Sequence, residues 1–273
     1  MRLLYKYQSL DGVRINWLER MLSGWVYYAS PLSFNDPFEI SPTFLAPDEK
    51  AVAKFFDKQE LGISKSLRAR VIKDSLSKLR SVHVAAVEAD WVGELGVLCL
   101  TNDHKNLLMW SHYAGSHGGI CIGFDASFYP LSTAKAIRYT SERPQVPLVE
   151  GPVVNDAIIE SIFLSKSPHW KYEAEWRSIK RPVRESEKDF YKKSLDSGDM
   201  TDEEVAELLA SEGGAGLYEC DPRAIKRIVF GAKIRDEYKA RIIDMISKMS
   251  WVKLFQAELD KRHFVLNINE IKR

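Results

Sequence analysis

The chain has 273 residues, of which 45% are hydrophobic and 28% charged, an ordinary composition for a globular protein. Its 39 basic and 38 acidic residues leave a net charge of +1, which gives no sign of a nucleic-acid or membrane surface. No stretch approaches the roughly 18 to 20 apolar residues of a membrane span, the three cysteines are scattered, and the first residues lack a signal-peptide core, so we expect a cytoplasmic protein without disulfides.

Hydrophobic periodicity predicts the elements of the first half of the chain. Alternating or continuous apolar runs predict strands, and apolar residues at helical spacing predict a helix. The predicted strands are 3–7, 25–28, 97–101 and 120–125, and the predicted helix is 15–22. The segment 47–90 shows a helical pattern split near Gly62, so we expect a helical insertion there.

The second half mixes strands and helices without a regular alternation. Strands are predicted at 136–139, 225–231, 251–257 and 263–268, and helices at 153–164 and 234–249. Such interspersed elements favour an α+β fold over a doubly wound parallel sheet. No shift in composition marks a boundary, so we predict that residues 1–273 form a single α+β domain.

A short charged run at 173–177 is the most pointed candidate for chemistry. Glu173 and Glu175 are two residues apart, so on a strand both face one side, together with Arg177. A carboxylate near a ribose or ring can polarise a hydroxyl, stabilise an oxocarbenium ion or bind a metal. The neighbouring cation keeps it ionised and can hold phosphate. The structural alternative is an edge strand with a surface ion pair, worth about 0–1 kcal/mol.

Aromatic residues follow the strand predicted at 97–101. Trp110 and Tyr113 are three residues apart, so they share one face of a short helix. A large flat surface held at the end of a strand suits a nucleotide base or a nicotinamide ring. We therefore interpret this segment as a candidate ligand site.

A polar turn at 35–39 is a further candidate. Asn and Asp favour the start of a turn, and Pro37 fixes the following backbone angle, so a structural role is the simplest interpretation. For Asn35 a second interpretation has equal weight, because loop residues commonly present their side chains to ligands.

The motifs of several large enzyme classes are missing from the sequence. It contains no P-loop, no Rossmann glycine motif and no nucleophile elbow, so P-loop ATPases, dinucleotide-fold dehydrogenases and α/β-hydrolases have no motif support. The six histidines lack the spacing of metal ligands, and we predict no metal site. The basic face of the helix around 65–80 is most simply a solvated surface.

Six segments, spread over most of the chain, carry a resemblance to a known family. They are 4–7, 28–39, 109–114, 118–125, 170–177 and 228–231. The Asn-Asp-Pro-Phe-Glu run at 35–39 and the Glu-x-Glu-Trp-Arg run at 173–177 are the most specific. Together they resemble the bacterial family called domain of unknown function 2971, which has no established activity.

A second similarity implies chemistry. The order of elements resembles the ADP-ribosyltransferase fold, a split β-sheet that binds NAD in a central cleft. In its histidine-tyrosine-glutamate branch the opening strand carries a histidine. A middle strand, Ser/Thr turn and helix carry a tyrosine, and a late strand supplies the catalytic glutamate. We therefore expect an ADP-ribosyltransferase-like split sheet with helical insertions.

This resemblance implies two sets of site residues. Glu175 and Tyr113 are the expected catalytic residues. The expected NAD-binding residues are Lys6, Tyr7, Thr101, Trp110, Arg177 and Asn35. Lys6 stands where the branch has its histidine, and a protonated lysine donates hydrogen bonds but accepts none, so it would hold a ribose or phosphate oxygen.

The implied activity is that of an NAD-dependent ADP-ribosyltransferase or NAD glycohydrolase, of the kind found among toxins and phage-defence effectors. Tyr113 would stack on nicotinamide, and Glu175 would hydrogen-bond the ribose 2′-hydroxyl. The small-molecule partner would be a nucleotide, and the acceptor a protein, a nucleic acid or water.

Two alternatives stay open. One is a metal-dependent nuclease using Asp36, Glu173, Glu175 and Lys180, and the other is a non-enzymatic module whose aromatic cleft binds a partner.

Overall fold

A computed structural model of the chain describes residues 2–12, 14–45, 50, 53–54, 64–81, 95–147, 156–181, 185–201, 204–205 and 213–272. Its strands are β1 (Leu3–Gln8), β2 (Trp25–Tyr28), β3 (Thr43–Leu45), β4 (Gly96–Thr101), β5 (Ile120–Asp125), β6 (Lys135–Ala136), β7 (Arg138–Tyr139), β8 (Gln145–Pro147), β9 (Ser165–Lys166), β10 (Glu175–Lys180), β11 (Gly216–Glu219), β12 (Ile225–Phe230), β13 (Lys253–Leu259) and β14 (Leu266–Ile271). Its helices are α1 (Arg14–Leu22), α2 (Lys65–Ser81), α3 (Leu107–Tyr113), α4 (Asp156–Phe163), α5 (Glu185–Ser197) and α6 (Asp236–Met245). Among the described residues, none of the helices is both long and apolar enough to cross a membrane.

The chain divides into two compact units. The sheet unit comprises Met1–Ser33, Glu94–Ile137 and His169–Arg273, and the second unit comprises Phe34–Gly93 and Arg138–Pro168. The predicted helical insertion at 47–90 belongs to the second unit, where its described part contains α2. Much of that segment lies outside the described residues, and the single-domain organisation stays a prediction.

The sheet unit is built on a large mixed sheet. Its eight strands lie in the order β14-β13-β12-β5-β1-β4-β10-β6, and all neighbours are antiparallel except β12 and β13. A separate two-stranded antiparallel sheet joins β2 to β11. The mixture of helices and strands that the interspersed patterns predict is confirmed, while the ADP-ribosyltransferase-like split sheet stays a prediction.

Side chains alternate across the large sheet, so its two faces bury different apolar layers. One layer includes Leu4 and Ile122 and packs against α1 and α6. The other includes Tyr7 and Cys121 and packs against α3 through Trp110. The candidate site lies on this second face.

The sheet is nearly interrupted between β1 and β4. β1 pairs with β5 along its whole length, from Leu3↔Asp125 to Gln8↔Ile120, but it pairs with β4 only through Tyr5↔Thr101. Beside this point, Lys6 Nζ donates a hydrogen bond to the Cys99 carbonyl oxygen at 3.2 Å. A side chain therefore substitutes for part of the backbone ladder where the two strands separate.

In the second unit, a buried ion pair anchors the loop at 35–39. The amide of Phe38 donates to Asp36 Oδ1 at 2.9 Å, so the turn predicted from Asn-Asp-Pro is confirmed. Glu39 Oε1 lies 3.4 Å from Lys166 Nζ, and the two side chains are 2% and 5% exposed. The carboxylate of Glu39 thus ties the loop to β9, a contact that the local sequence does not reveal.

Lys180, at the end of β10, lies among tyrosine rings. Its Nζ donates to the Tyr129 hydroxyl at 2.8 Å and lies 4.1 Å from the centre of the Tyr218 ring. The residue is 2% exposed, and burial lowers the pKa of its ammonium group to about 8. It lies five positions after Glu175 on the same strand, so the two side chains face opposite sides of the sheet. The nuclease alternative requires Lys180 and Glu175 to lie together, and the sheet places them on opposite faces.

We expect the unfavourable contribution of Lys180 to the free energy of unfolding to become smaller as the pH rises. Its pKa in the folded chain lies below that of an unfolded lysine, so between the two values the unfolded state holds more protons. The free energy of unfolding of the wild type, relative to Lys180→Met, should increase from about pH 8 to about pH 10. Chemical denaturation of both proteins across this range measures the difference, and a difference independent of pH would contradict the assignment.

Candidate functional site

Three candidate residues form a row across neighbouring strands. Tyr5 of β1 pairs with Thr101 of β4, and Thr101 pairs with Glu175 of β10. Residues paired in register share a face of the sheet, so all three side chains lie on the face covered by α3. The row crosses the sheet at the single residue pair that joins β1 to β4.

Glu175 and Arg177 form a buried bidentate ion pair. Arg177 Nε lies 2.8 Å from Glu175 Oε1, and Nη2 lies 3.0 Å from Oε2. The two residues are 5% and 1% exposed, and burial lowers the pKa of Arg177. The predicted common face of the two side chains is confirmed. The structural alternative, a surface pair on an edge strand, is wrong, because both residues are buried and β10 lies between β4 and β6. Removing one partner of a buried pair of this kind typically lowers the free energy of unfolding by about 3–5 kcal/mol.

Glu173 does not lie on the strand that carries Glu175. It ends the 3-10 turn Pro168–Glu173, and Ala174 then adopts a left-handed backbone conformation with φ of 45°. β10 begins only at Glu175, so the expectation that both glutamates lie on one strand is wrong. The Glu173 carboxylate, in a residue only 3% exposed, instead accepts a hydrogen bond from the Tyr113 hydroxyl at 2.6 Å.

Thr101 connects the end of β4 to the turn that carries Glu173. Its Oγ1 donates to the Glu173 carbonyl oxygen at 2.6 Å and accepts from the Asp103 amide at 3.0 Å. Asn106 makes a second connection. Its side chain caps α3, and its Nδ2 donates to the Tyr172 carbonyl oxygen at 3.0 Å. These contacts position Tyr113 against Glu173, and the role of Asn106 was missed in the sequence although an Asn before a helix is a recognisable cap.

Trp110 and Tyr7 support the loop between β4 and α3. Trp110 is completely buried, its Nε1 donates to the His104 carbonyl oxygen at 2.9 Å, and its ring meets that of Tyr7 edge-on at 5.2 Å. The Tyr7 hydroxyl donates to the Asp103 carbonyl oxygen at 3.0 Å, and burial raises the pKa of Tyr7. Both side chains hold the loop in place, and a direct contact of either with a ligand stays a prediction.

The imidazole ring of His104, which was not among the predicted site residues, covers the Tyr5 ring. His104 stacks on Tyr5 with 4.6 Å between ring centres and an interplanar angle of 23°. Burial lowers the pKa of His104, so its imidazole is neutral at neutral pH. The row of site residues therefore carries a stacked pair of aromatic rings beside its carboxylate.

Lys6 and Asn35, the remaining predicted site residues, differ in burial. Burial lowers the pKa of Lys6, and the nearby Cys99 and Glu175 act in the opposite direction. Binding of a ribose or phosphate oxygen by Lys6, which the resemblance implied, stays a prediction. Asn35 is an exposed residue of the second unit, and its contact with NAD stays a prediction. Within the described ranges, no three His, Cys, Asp or Glu side chains are grouped so that they could hold a metal ion.

Comparison of the chain with protein-family models, with curated proteins and with solved structures gives no match.

We expect Tyr113→Phe to lower the free energy of unfolding by about 1–2 kcal/mol, because it removes a hydrogen-bond donor from a buried carboxylate. Tyr27→Phe is the matched control, since Tyr27 is 45% exposed. Chemical denaturation of both variants measures the effect. Equal stabilities of the two variants would show that the Tyr113–Glu173 hydrogen bond adds nothing to the folded state.

Proposed function

We propose that this protein cleaves the bond between nicotinamide and ribose in NAD, as an ADP-ribosyltransferase or NAD glycohydrolase, with Glu175 as the catalytic carboxylate. The observation that carries the proposal is the in-register row of Tyr5, Thr101 and Glu175 at the point where β1 and β4 separate. The similarity to the split-sheet transferase fold predicts an opening strand, a middle strand and a late strand around a cleft. β1, β4 and β10 are three neighbouring strands in the corresponding chain order.

The buried ion pair suits the chemistry of this cleavage. As the bond from ribose C1′ to the nicotinamide nitrogen breaks, its electron pair leaves with nicotinamide and positive charge develops on the ribose. Glu175 would accept a hydrogen bond from the 2′-hydroxyl and stabilise that charge. Water or an acceptor then attacks C1′ and loses a proton. Because Arg177 fixes both carboxylate oxygens, little reorganisation is needed as the charge forms.

Tyr113 completes the proposed site. Its half-buried ring, oriented by Glu173, would stack on nicotinamide. Lys6 follows Tyr5 on β1, so strand alternation directs its side chain to the other face of the sheet, and its contact with a ribose or phosphate oxygen stays a prediction. Arg177 was expected to bind the nucleotide, but its side chain has no exposed surface. We therefore assign Arg177 to positioning Glu175, while a phosphate contact stays a prediction.

We expect purified wild-type protein to release nicotinamide from NAD, and Glu175→Gln to lower the rate by about 100-fold or more, the usual effect of removing a preorganised electrostatic group. Glu219→Gln, at an exposed glutamate of β11, is the matched control and should keep the wild-type rate. The assay is run with and without cell lysate as a source of acceptor.

Glu175→Gln also disturbs a buried ion pair, so its folding is checked by circular dichroism and chemical denaturation. Glu175→Asp keeps the charge, and it should fold while losing most of the activity because its carboxylate is retracted by one methylene group. Equal rates in the wild type and a folded Glu175→Gln variant would contradict the proposal. Absence of release by the wild type under both conditions would also contradict it and would favour the non-enzymatic binding module.

A further inference from the structure

The row of site residues continues beyond Tyr5. Tyr5 also pairs with Gly123 of β5, and Gly123 pairs with Arg227 of β12. Arg227, Gly123, Tyr5, Thr101 and Glu175 therefore form one in-register row across five strands. With neighbouring strands about 4.8 Å apart, the backbone distance from Arg227 to Glu175 is about 19 Å.

Gly123 leaves space above the backbone of β5 because it has no side chain. A Cβ atom at this position would lie 2.8 Å from Tyr5 Cε1 and 3.2 Å from Arg227 Cβ. The Tyr5 ring consequently lies directly over the glycine, where any larger residue would displace it. The backbone of β5 thus provides space for the Tyr5 ring between Arg227 and the rest of the row.

Arg227 is a cation held by aromatic neighbours. Its guanidinium carbon lies 5.1 Å from the centre of the Phe255 ring, and the residue is half-buried. Burial raises the pKa of Tyr5, while the charge and hydrogen bonding of Arg227 act in the opposite direction. No carboxylate of the part of the chain that the structure describes forms a salt bridge with Arg227. A positioned guanidinium without such a partner is well suited to bind phosphate through paired hydrogen bonds.

We propose that Arg227 binds a phosphate group of the same ligand whose ribose contacts Glu175, so that the site selects a dinucleotide over a nucleoside. The position of the ribose rests on the proposed function. In a dinucleotide, the diphosphate and the second nucleoside extend away from the ribose at which cleavage occurs. The row supplies a cation in that direction, with the stacked rings of Tyr5 and His104 lying between its two ends. Arg227 is a binding residue in this arrangement and takes no part in breaking the bond.

Isothermal titration of the wild type and Arg227→Gln with ADP-ribose, and separately with nicotinamide riboside, tests this assignment. We expect the substitution to weaken ADP-ribose binding by about 10- to 100-fold, as the loss of a charge-assisted hydrogen bond does. The affinity for nicotinamide riboside, which carries no phosphate, should change less than about twofold. Arg262→Gln, at an exposed arginine between β13 and β14, is the matched control and should leave both affinities unchanged.

Arg227→Lys keeps a charge next to the Phe255 ring and should restore part of the affinity for ADP-ribose, which separates a binding role from a purely structural one. Equal affinities for ADP-ribose in the wild type and Arg227→Gln would overturn the inference, and so would the absence of ADP-ribose binding by the wild type. Equal weakening of both ligands would also overturn it, because the effect would then not depend on phosphate.

The proposed function and this inference can fail separately. Binding of ADP-ribose that depends on Arg227, in a protein that releases no nicotinamide, would support the inference while the proposed activity fails. Release of nicotinamide with the same KM for NAD in the wild type and Arg227→Gln would support the activity while the inference fails.

Discussion

The candidate site is organised around the buried ion pair between the Glu175 carboxylate and the Arg177 guanidinium. Either charge alone would be buried without compensation, at a cost of several kcal/mol. Both residues lie on one face of β10, and this strand has β4 and β6 as its neighbours in the sheet. The register of β10 with β4 places the carboxylate in one row with Thr101 and Tyr5.

The backbone just before β10 separates two buried carboxylates. Glu173 and Glu175 serve different partners, Tyr113 on α3 and Arg177 on the strand, and both carboxylates are buried. Between them, Ala174 has a left-handed backbone conformation and separates the 3-10 turn that ends at Glu173 from the strand that begins at Glu175. A non-glycine residue in this conformation is strained, and such strain is commonly retained at functional sites. The two carboxylates can thus hold separate roles within three residues of sequence.

Local patterns were sufficient to predict much of the fold. The strands β1, β2, β4, β5 and β12 begin and end within about one residue of their predicted limits, because alternation and apolar runs are properties of neighbouring residues. The shared face of Glu175 and Arg177 followed from the same rule. Sequence alone did not show that their ion pair is buried, because burial depends on which strands lie beside β10.

The contacts that assemble the site lie between segments far apart in the chain. Nothing local indicates that Tyr5 is in register with both Thr101 and Gly123, that Glu39 pairs with Lys166, or that Arg227 ends the same row as Glu175. Strand register is set by the whole sheet, so the importance of His104 and Arg227 emerges only from the structure. The most direct measurement is a crystal structure with a non-cleavable NAD analogue. We predict a ribose 2′-hydroxyl about 2.6–3.2 Å from the Glu175 carboxylate, the nicotinamide ring against Tyr113 and a phosphate group at Arg227. An analogue bound away from this row of residues would contradict the proposed site.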